Sequence, residues 1–285
     1  MQTEIAQDEA MDLLKGVDIP PCPAVAISLM KEGAKDNVDF DKIIRLISGD
    51  VGLAAAMLKT ANSPFFGLAR KAQSVSAAVS VLGLKNILNI IMGLSLRNSV
   101  NAPKLNMERF WERSNYAAIV CERLAKGNQF ISREDAYTFG IFHDCGIPIL
   151  MLKFPDYKET LVAANNEGGT QMEDLAHATN HAVAGYMLAR NWGLKNNVAQ
   201  AIRYHHDPSF FDQSGSGDIV GVQILMALGV VAEHIVADFL GFPDEAYWNL
   251  LGPRAMDCLG MSRSELDEKL SDIEAELTEM KEIRC

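Results

Sequence analysis

Apolar residues along this chain recur three and four positions apart, the spacing of one helical face, and convincing alternating strands do not occur. A proline-rich entry, IPPCPAVAISLMKEG, leads into a helix with Val25, Leu29 and Met30 on one side. DFDKIIRLISGD groups Ile43, Ile44 and Ile47, with Gly49 as its stop, and VGLAAAMLKTANSPFFG is a third helix closed by an Asn-Ser-Pro breaker. SVSAAVSVLG and KNILNIIMGLSLRNSV continue the pattern on either side of Gly83. APKLNM, residues 102–107, is a polar joint suited to a boundary between two helical lobes. Beyond it FWERSNYAAIVCERLAKG, SREDAYTFGIFHDCG, NHAVAGYMLARNWG, NVAQAIRYHHDP and IVGVQILMALGVVAEHIVADFLG all carry the helical period. Residues 153–175 are richer in charge and glycine and predict no element.

The tail differs in kind. In SRSELDEKLSDIEAELTEMKEIRC, Ser262 and Glu265 have capping-box spacing. Leu266, Leu270, Ile273, Leu277 and Met280 then form a narrow heptad seam, which suits packing on the body, self-association or docking of a partner. The expected architecture is all-α: an N-terminal helical lobe (1–104), a second helical lobe (105–241) and a C-terminal helical extension (242–285).

Composition narrows the function classes. With 48% hydrophobic and 22% charged residues in 285, the chain has globular proportions and length enough for a core. Its net charge of −11 argues against broad contact with nucleic acid or acidic membrane surfaces, both of which want basic patches. Arg70, Lys71 and Lys85 are too few to support a helix-turn-helix reading of the first lobe. The opening MQTEIAQDEAMDLL lacks signal-peptide character, and the longest apolar run, near IVGVQILMALGVVA, falls short of the roughly 18 to 20 residues of a membrane span. Five scattered cysteines without a C-x-x-C pair suit reduced thiols, so a soluble, cytoplasmic protein is expected.

The candidate chemistry lies in polar residues within apolar surroundings. GIFHDCGIPIL sets His143 and Asp144 in an apolar run, where a carboxylate is costly unless paired. His143 shares a helical face with Ala136, Phe139 and Gly140, His181 with Ala184, Gly185 and Leu188, and His205 with Val198, Ala201 and Ile202. Glu233 follows Gly229 by four positions inside VVAEHIVA. A lone inward histidine is ordinarily a satisfied core residue. Several together, with Asp144, suit one divalent cation held by imidazole and carboxylate: iron, manganese, zinc or nickel. His206 and His177 are weaker candidates, each close to a better one. Cys145 is expected to be an inert buried thiol.

The His-Asp doublet, H-x-x-x-G at 181–185 and AIRYHHDP resemble the HD superfamily of metal-dependent phosphohydrolases. More specifically IPPCPAVAISLM, LKTANSPFFGLARKAQSVSAAVSVLGLKNI, FWERSNYAA and NHAVAGYMLARNWGLKNNVAQAIRYHHDP resemble its HDOD branch, the HD-related output domain of bacterial signalling proteins, over about 19–208. The resemblance implies an all-helical, HD-like fold and two metal positions sharing the doublet's aspartate. Asp144, His181, His205 and His206 match one position fully. For the other, Arg113 stands where a histidine is expected, Glu233 where an aspartate is, and Ile147 replaces a phosphate-facing lysine. Arginine cannot ligate a metal; it repels one or replaces it by pairing with Asp144.

The implied function is a non-catalytic signalling scaffold acting through protein partners. The alternative is a mononuclear phosphohydrolase acting on a nucleotide or cyclic dinucleotide, and a sensor using the same cavity is a third reading. Whether a metal or Arg113 compensates Asp144 stays open at this level.

Overall fold

The computed structural model describes residues 17–63, 66–100, 107–167, 169–215, 217–242 and 245–282. The joint at 102–106, the middle of NSPFFG and the side chain of Met280 lie outside them. Among the described residues every regular element is a helix, so the fold is all-α. The described residues form two compact units, one from 22–99 with 271–282, the other from 17–21 with 100–270. The segment 242–285 therefore contributes to both.

The smaller unit contains α1 (Ala24–Gly33), α2 (Phe40–Ser48), α3 (Val51–Ala61) and α4 (Val75–Ser99). Asp39 and Asp50 begin α2 and α3 by accepting from the backbone N–H of Lys42 (2.8 Å) and Leu53 (2.9 Å), satisfying donors that a helix start leaves unpaired. Leu29, Ile43, Ile47, Met57, Val79, Ile87 and Ile90 fill the core. Asn62 fastens the return from α3 by bonding both the N–H and the C=O of Ala72, at 2.7 and 2.9 Å. Gly83 interrupts α4 at φ 77°, a conformation costly for any residue with a Cβ, so two helices meet end to end there.

One residue of this unit is polar where the pattern predicts none. Glu32 is buried, accepts from Lys35 Nζ and Lys42 Nζ at 2.7 Å each, and receives the N–H of Asp39 at 3.2 Å. It ties the end of α1 to the start of α2.

The larger unit contains α5 (Glu108–Leu124), α6 (Arg133–Phe142), α7 (Gly146–Lys153), α8 (Tyr157–Glu167), α9 (Gln171–His177), α10 (His181–Asn191), α11 (Asn196–Tyr204), α12 (Gly217–Leu240) and α13 (Glu245–Leu259). Helix α12 is the axis of the core, packed against α5, α11 and α13. Two described helices, α4 and α12, are long and apolar enough to cross a membrane by length and composition. Helix α12 outruns the apolar stretch seen in sequence, and its most apolar window is 78% buried by the fold. The Gly83 break leaves α4 no continuous stretch of the ~20 residues a span needs.

Helices α8 and α9 occupy the region 153–175, for which no element is expected from the sequence. Their apolar positions are sparse, and α9 is only seven residues long, so neither carries a readable period. Gly140 lets α6 lie on α5: a Cβ there would fall 2.5 Å from Ala118 Cα. Trp192 is buried, meets Phe142 edge to face at 5.8 Å and donates its Nε1–H to Pro20 O at 3.1 Å.

Helix α14 (Arg263–Glu282) starts with the expected capping box, in which Ser262 N donates to Glu265 Oε2 (2.8 Å) and Glu265 N to Ser262 Oγ (3.3 Å). Leu266, Ile273 and Leu277 of its seam are buried within the chain, while Asp267, Glu268, Lys269 and Asp272 face outward.

Glu32 generates a test. Its hydrogen bonds to Lys35 and Lys42, aided by the Asp39 N–H and the nearby Lys35 charge, outweigh burial and bring its pKa from 4.5 to about 2. A depressed folded-state pKa makes this contribution to stability full above about 4.5, with loss as pH falls toward 2. Urea unfolding of Glu32→Gln is expected to show a lower midpoint than wild type at pH 7, with the gap closing as the pH is lowered from 5 to 2.

Candidate metal centre

The doublet sits in a turn, not on a continuous helix. Helix α6 ends at Phe142, His143 caps it, and α7 begins at Gly146 with Pro148 in its first turn, where the missing N–H does no harm. The turn is held by Cys145 N to Phe142 O and Ile147 N to Asp144 O, both 2.9 Å. Its position depends on glycine. A Cβ at Gly146 would lie 2.0 Å from His181 O and 2.8 Å from Gly185 N, so the start of α7 touches the backbone of α10 directly. That contact carries Asp144 to His181, the first residue of α10, whose N-cap Asn180 accepts from Val183 N at 3.0 Å. His205 and His206 follow the end of α11, and Glu233 comes from the middle of α12.

The structure brings all six candidate residues into two adjoining groups that share Asp144. One group is Asp144, His181, His205 and His206; the other is His143, Asp144 and Glu233. Within each, the potential ligand atoms lie within 4.8 Å of one another, a span that could hold a metal ion. His177 belongs to neither: its ring stacks on Phe154 at 4.4 Å and its Nε2 lies 3.1 Å from Thr160 Oγ1.

Hydrogen bonding fixes which ring nitrogens face the cluster. Nδ1 lies 2.9 Å from Gly140 O in His143, 2.8 Å from Glu173 Oε1 in His181, and 2.7 Å from Ile202 O in His205. Carbonyl and carboxylate oxygens only accept, so each Nδ1 carries a hydrogen and each neutral ring turns an Nε2 lone pair inward. His181 Nε2 stands 3.3 Å from His205 Nε2, 3.0 Å from His206 Nε2 and 3.4 Å from Asp144 Oδ1. His143 Nε2 stands 3.3 Å from both Asp144 Oδ2 and Glu233 Oε1. Converging lone pairs and anionic oxygens repel unless a cation, proton or metal, lies among them. His143 Nε2, Glu233 Oε1 and His206 Nδ1 are buried without a hydrogen-bond partner. The donor set, imidazole nitrogen with carboxylate oxygen, fits a borderline divalent transition metal.

The charges compensate one another across the cluster. Burial works against the His143 imidazolium, but Asp144 and then Glu233 outweigh it and hold its pKa well above the usual value. Burial likewise opposes ionisation of Asp144, and His143, with His205 and His181, overcomes it and holds the carboxyl well below its usual range. His181 is raised because Glu173 and Asp144 exceed the cost of burial, whereas burial lowers His205 and, further, His206.

Arg113, on α5, ion-pairs through Nη2 with Glu233 Oε2. The guanidinium thus pairs with Glu233, whereas the sequence left open whether Arg113 or a metal compensates Asp144. Burial pushes the Glu233 carboxyl up, and Arg113, followed by His143, brings it below its ordinary value. Cys145 fits the inert reading: burial, then the neighbouring Asp144 charge, pushes its thiol well up.

Sequence reasoning missed Glu173 and Tyr157. Glu173 is fully buried and accepts from Tyr157 Oη, from His181 N at 2.9 Å and from His181 Nδ1. Beside Asp174, in a charged stretch that predicts no element, it reads as an ordinary solvated acid, so nothing local marks it. Tyr247 was also missed; its ring meets His206 edge-on at 5.0 Å and its hydroxyl donates to His205 O at 3.4 Å.

The HDOD domain family matches residues 19–208, two thirds of the sequence. This chain belongs to the HDOD family. Its fold is shared by a candidate phosphohydrolase from Shewanella amazonensis SB2B (TM-score 0.72, 23% identity, 94% of this chain and 96% of that one). An HDOD domain protein of unknown function from Geobacter sulfurreducens aligns with TM-score 0.69 at 22% identity, over 98% and 99% of the two chains. A candidate signal transduction protein from Marinobacter aquaeolei VT8 aligns at 0.75 and 21%, over 98% of this chain and 65% of that one. An uncharacterized protein of Treponema pallidum (strain Nichols) is 26% identical over 195 residues, which are 67% of this HDOD chain and 38% of that protein's length.

A direct test of the backbone contact is Gly146→Ala. The methyl meets backbone atoms that cannot rotate away, so α7 must leave α10 and take Asp144 with it. A loss of about 3 kcal/mol in unfolding free energy is expected for overpacking of this kind, read from urea melts of the variant against wild type.

Proposed function

We propose that this HDOD chain is a non-catalytic regulatory module of bacterial signal transduction, acting in the cytoplasm through protein contacts and keeping a site for one divalent transition metal. The Arg113–Glu233 ion pair carries the reading. It sets a permanent cation against the group formed by His143, Asp144 and Glu233, and like charge disfavours a metal there. Asp144, His181, His205 and His206 would hold the single ion, with Glu173 behind His181. Ile147 offers no charge to a substrate phosphoryl group where related hydrolases carry a lysine, and such charge is a large part of phosphoryl-transfer catalysis. The Marinobacter fold neighbour's name, a candidate signal transduction protein, agrees with this reading. The four described cysteines, Cys22, Cys121, Cys145 and Cys258, are free thiols, in keeping with a reducing compartment. Partner docking or self-association through α14 would use its charged outer face, since Leu266, Ile273 and Leu277 of the seam are already buried and Leu270 is half-buried.

The second reading is a mononuclear phosphohydrolase acting on a nucleotide or cyclic dinucleotide. The four-residue group favours it, as does the name of the Shewanella neighbour. A bound divalent metal supplies a water made acidic enough to serve as nucleophile near neutral pH.

Metal analysis of chain purified without chelator is expected to find one transition metal per molecule in wild type and none in Asp144→Ala. With added manganese or iron, phosphodiesters and cyclic dinucleotides should not turn over. Turnover that vanishes in Asp144→Ala would establish the hydrolase instead.

A further inference from the structure

We propose that Glu173, anchored by Tyr157, is a positioning residue that dictates which nitrogen of His181 carries the ring hydrogen and so leaves the Nε2 lone pair toward Asp144. Its metal-binding consequence rests on the function proposed above; its effect on the ring does not. Glu173 has no exposed surface and uses its two oxygens differently. Oε2 receives two donors, the Tyr157 hydroxyl and the backbone N–H of His181 at 2.9 Å, while Oε1 receives only His181 Nδ1 at 2.8 Å. A carboxylate accepts at both oxygens, so Nδ1 must hold the hydrogen and Nε2 keeps its lone pair toward Asp144, His205 and His206. A carboxylate behind a ligating imidazole in this way fixes the ring and strengthens its donor atom.

The asymmetry of the two oxygens makes one isosteric variant decisive. In Glu173→Gln the side-chain oxygen has to take the Oε2 place, because the backbone N–H of His181 points there and cannot become an acceptor. The amide nitrogen then occupies the Oε1 place and donates to His181 Nδ1. The ring's hydrogen is forced onto Nε2, where it points at Asp144 and blocks a metal. Tyr157→Phe removes one donor from Oε2 but leaves the other, so the tautomer should not change.

Two-bond proton–nitrogen correlation spectra of the full-length, metal-free chain, at a pH where the ring is neutral, read the His181 tautomer. Manganese and zinc titrations read affinity, and circular dichroism checks folding. Wild type and Tyr157→Phe are expected to show Nδ1–H, and folded Glu173→Gln to show Nε2–H with metal binding weakened by about 10–100-fold. A folded Glu173→Gln that keeps Nδ1–H, or switches tautomer but binds metal as wild type does, overturns the proposal. If wild type binds neither ion while the tautomer still switches, the metal-binding function falls and the control of the ring by Glu173 stands.

Discussion

The chemistry of the larger unit is arranged around three carboxylates, Glu173 and Glu233 buried and Asp144 partly exposed. Asp144, Glu173 and Glu233 come from three different parts of the chain, and each would oppose folding if left unpaired in so apolar a setting. Each has a named compensation: His143 for Asp144, His181 and Tyr157 for Glu173, Arg113 for Glu233. The groups are interlocked, since His143 lies between two of the carboxylates and His181 between Asp144 and Glu173. The helices are therefore held to one another by charge as well as by packed apolar surface.

Most of the chemistry sits at the ends of helices. Asp144 lies in the turn between α6 and α7, His181 opens α10, and His205 and His206 close α11; only Glu233 is well inside a helix. Helix ends can bring backbone close to backbone when the residues there are small. Gly146 against His181 O and Gly185 N is the tightest such approach to the cluster. The carboxylate–imidazole distances near 3.4 Å follow from that contact between main chains.

The helical period made the major apolar helices readable, because their buried residues recur with one spacing, as Ile43 and Ile47 do in α2 and Val198, Ala201 and Ile202 in α11. Helices α8, α9 and α13 were not readable: the first two carry too few apolar positions, and α13 contains Gly252 and Pro253. His143, His181 and His205 stood out for the same reason, being exceptions to a periodic apolar face, whereas His206 joined them only through the family resemblance. The partner of Arg113 could not be read, since 120 residues separate it from Glu233 and nothing in either neighbourhood names the other. Glu173 was hidden by its setting, a charged stretch without a readable period in which an acid needs no partner to explain it.

Helix α12 supplies both Glu233 and the buried spine of the larger unit, and Tyr247 of α13 leans on His206. Both helices lie beyond residue 208, where the family correspondence stops. The stretch that is recognisable by descent is thus shorter than the body that must fold together. A fragment cut at the edge of the recognisable part would take Glu233 away from Arg113 and lay open the apolar flank that α12 covers. For this chain, physical autonomy extends further than ancestry marks out.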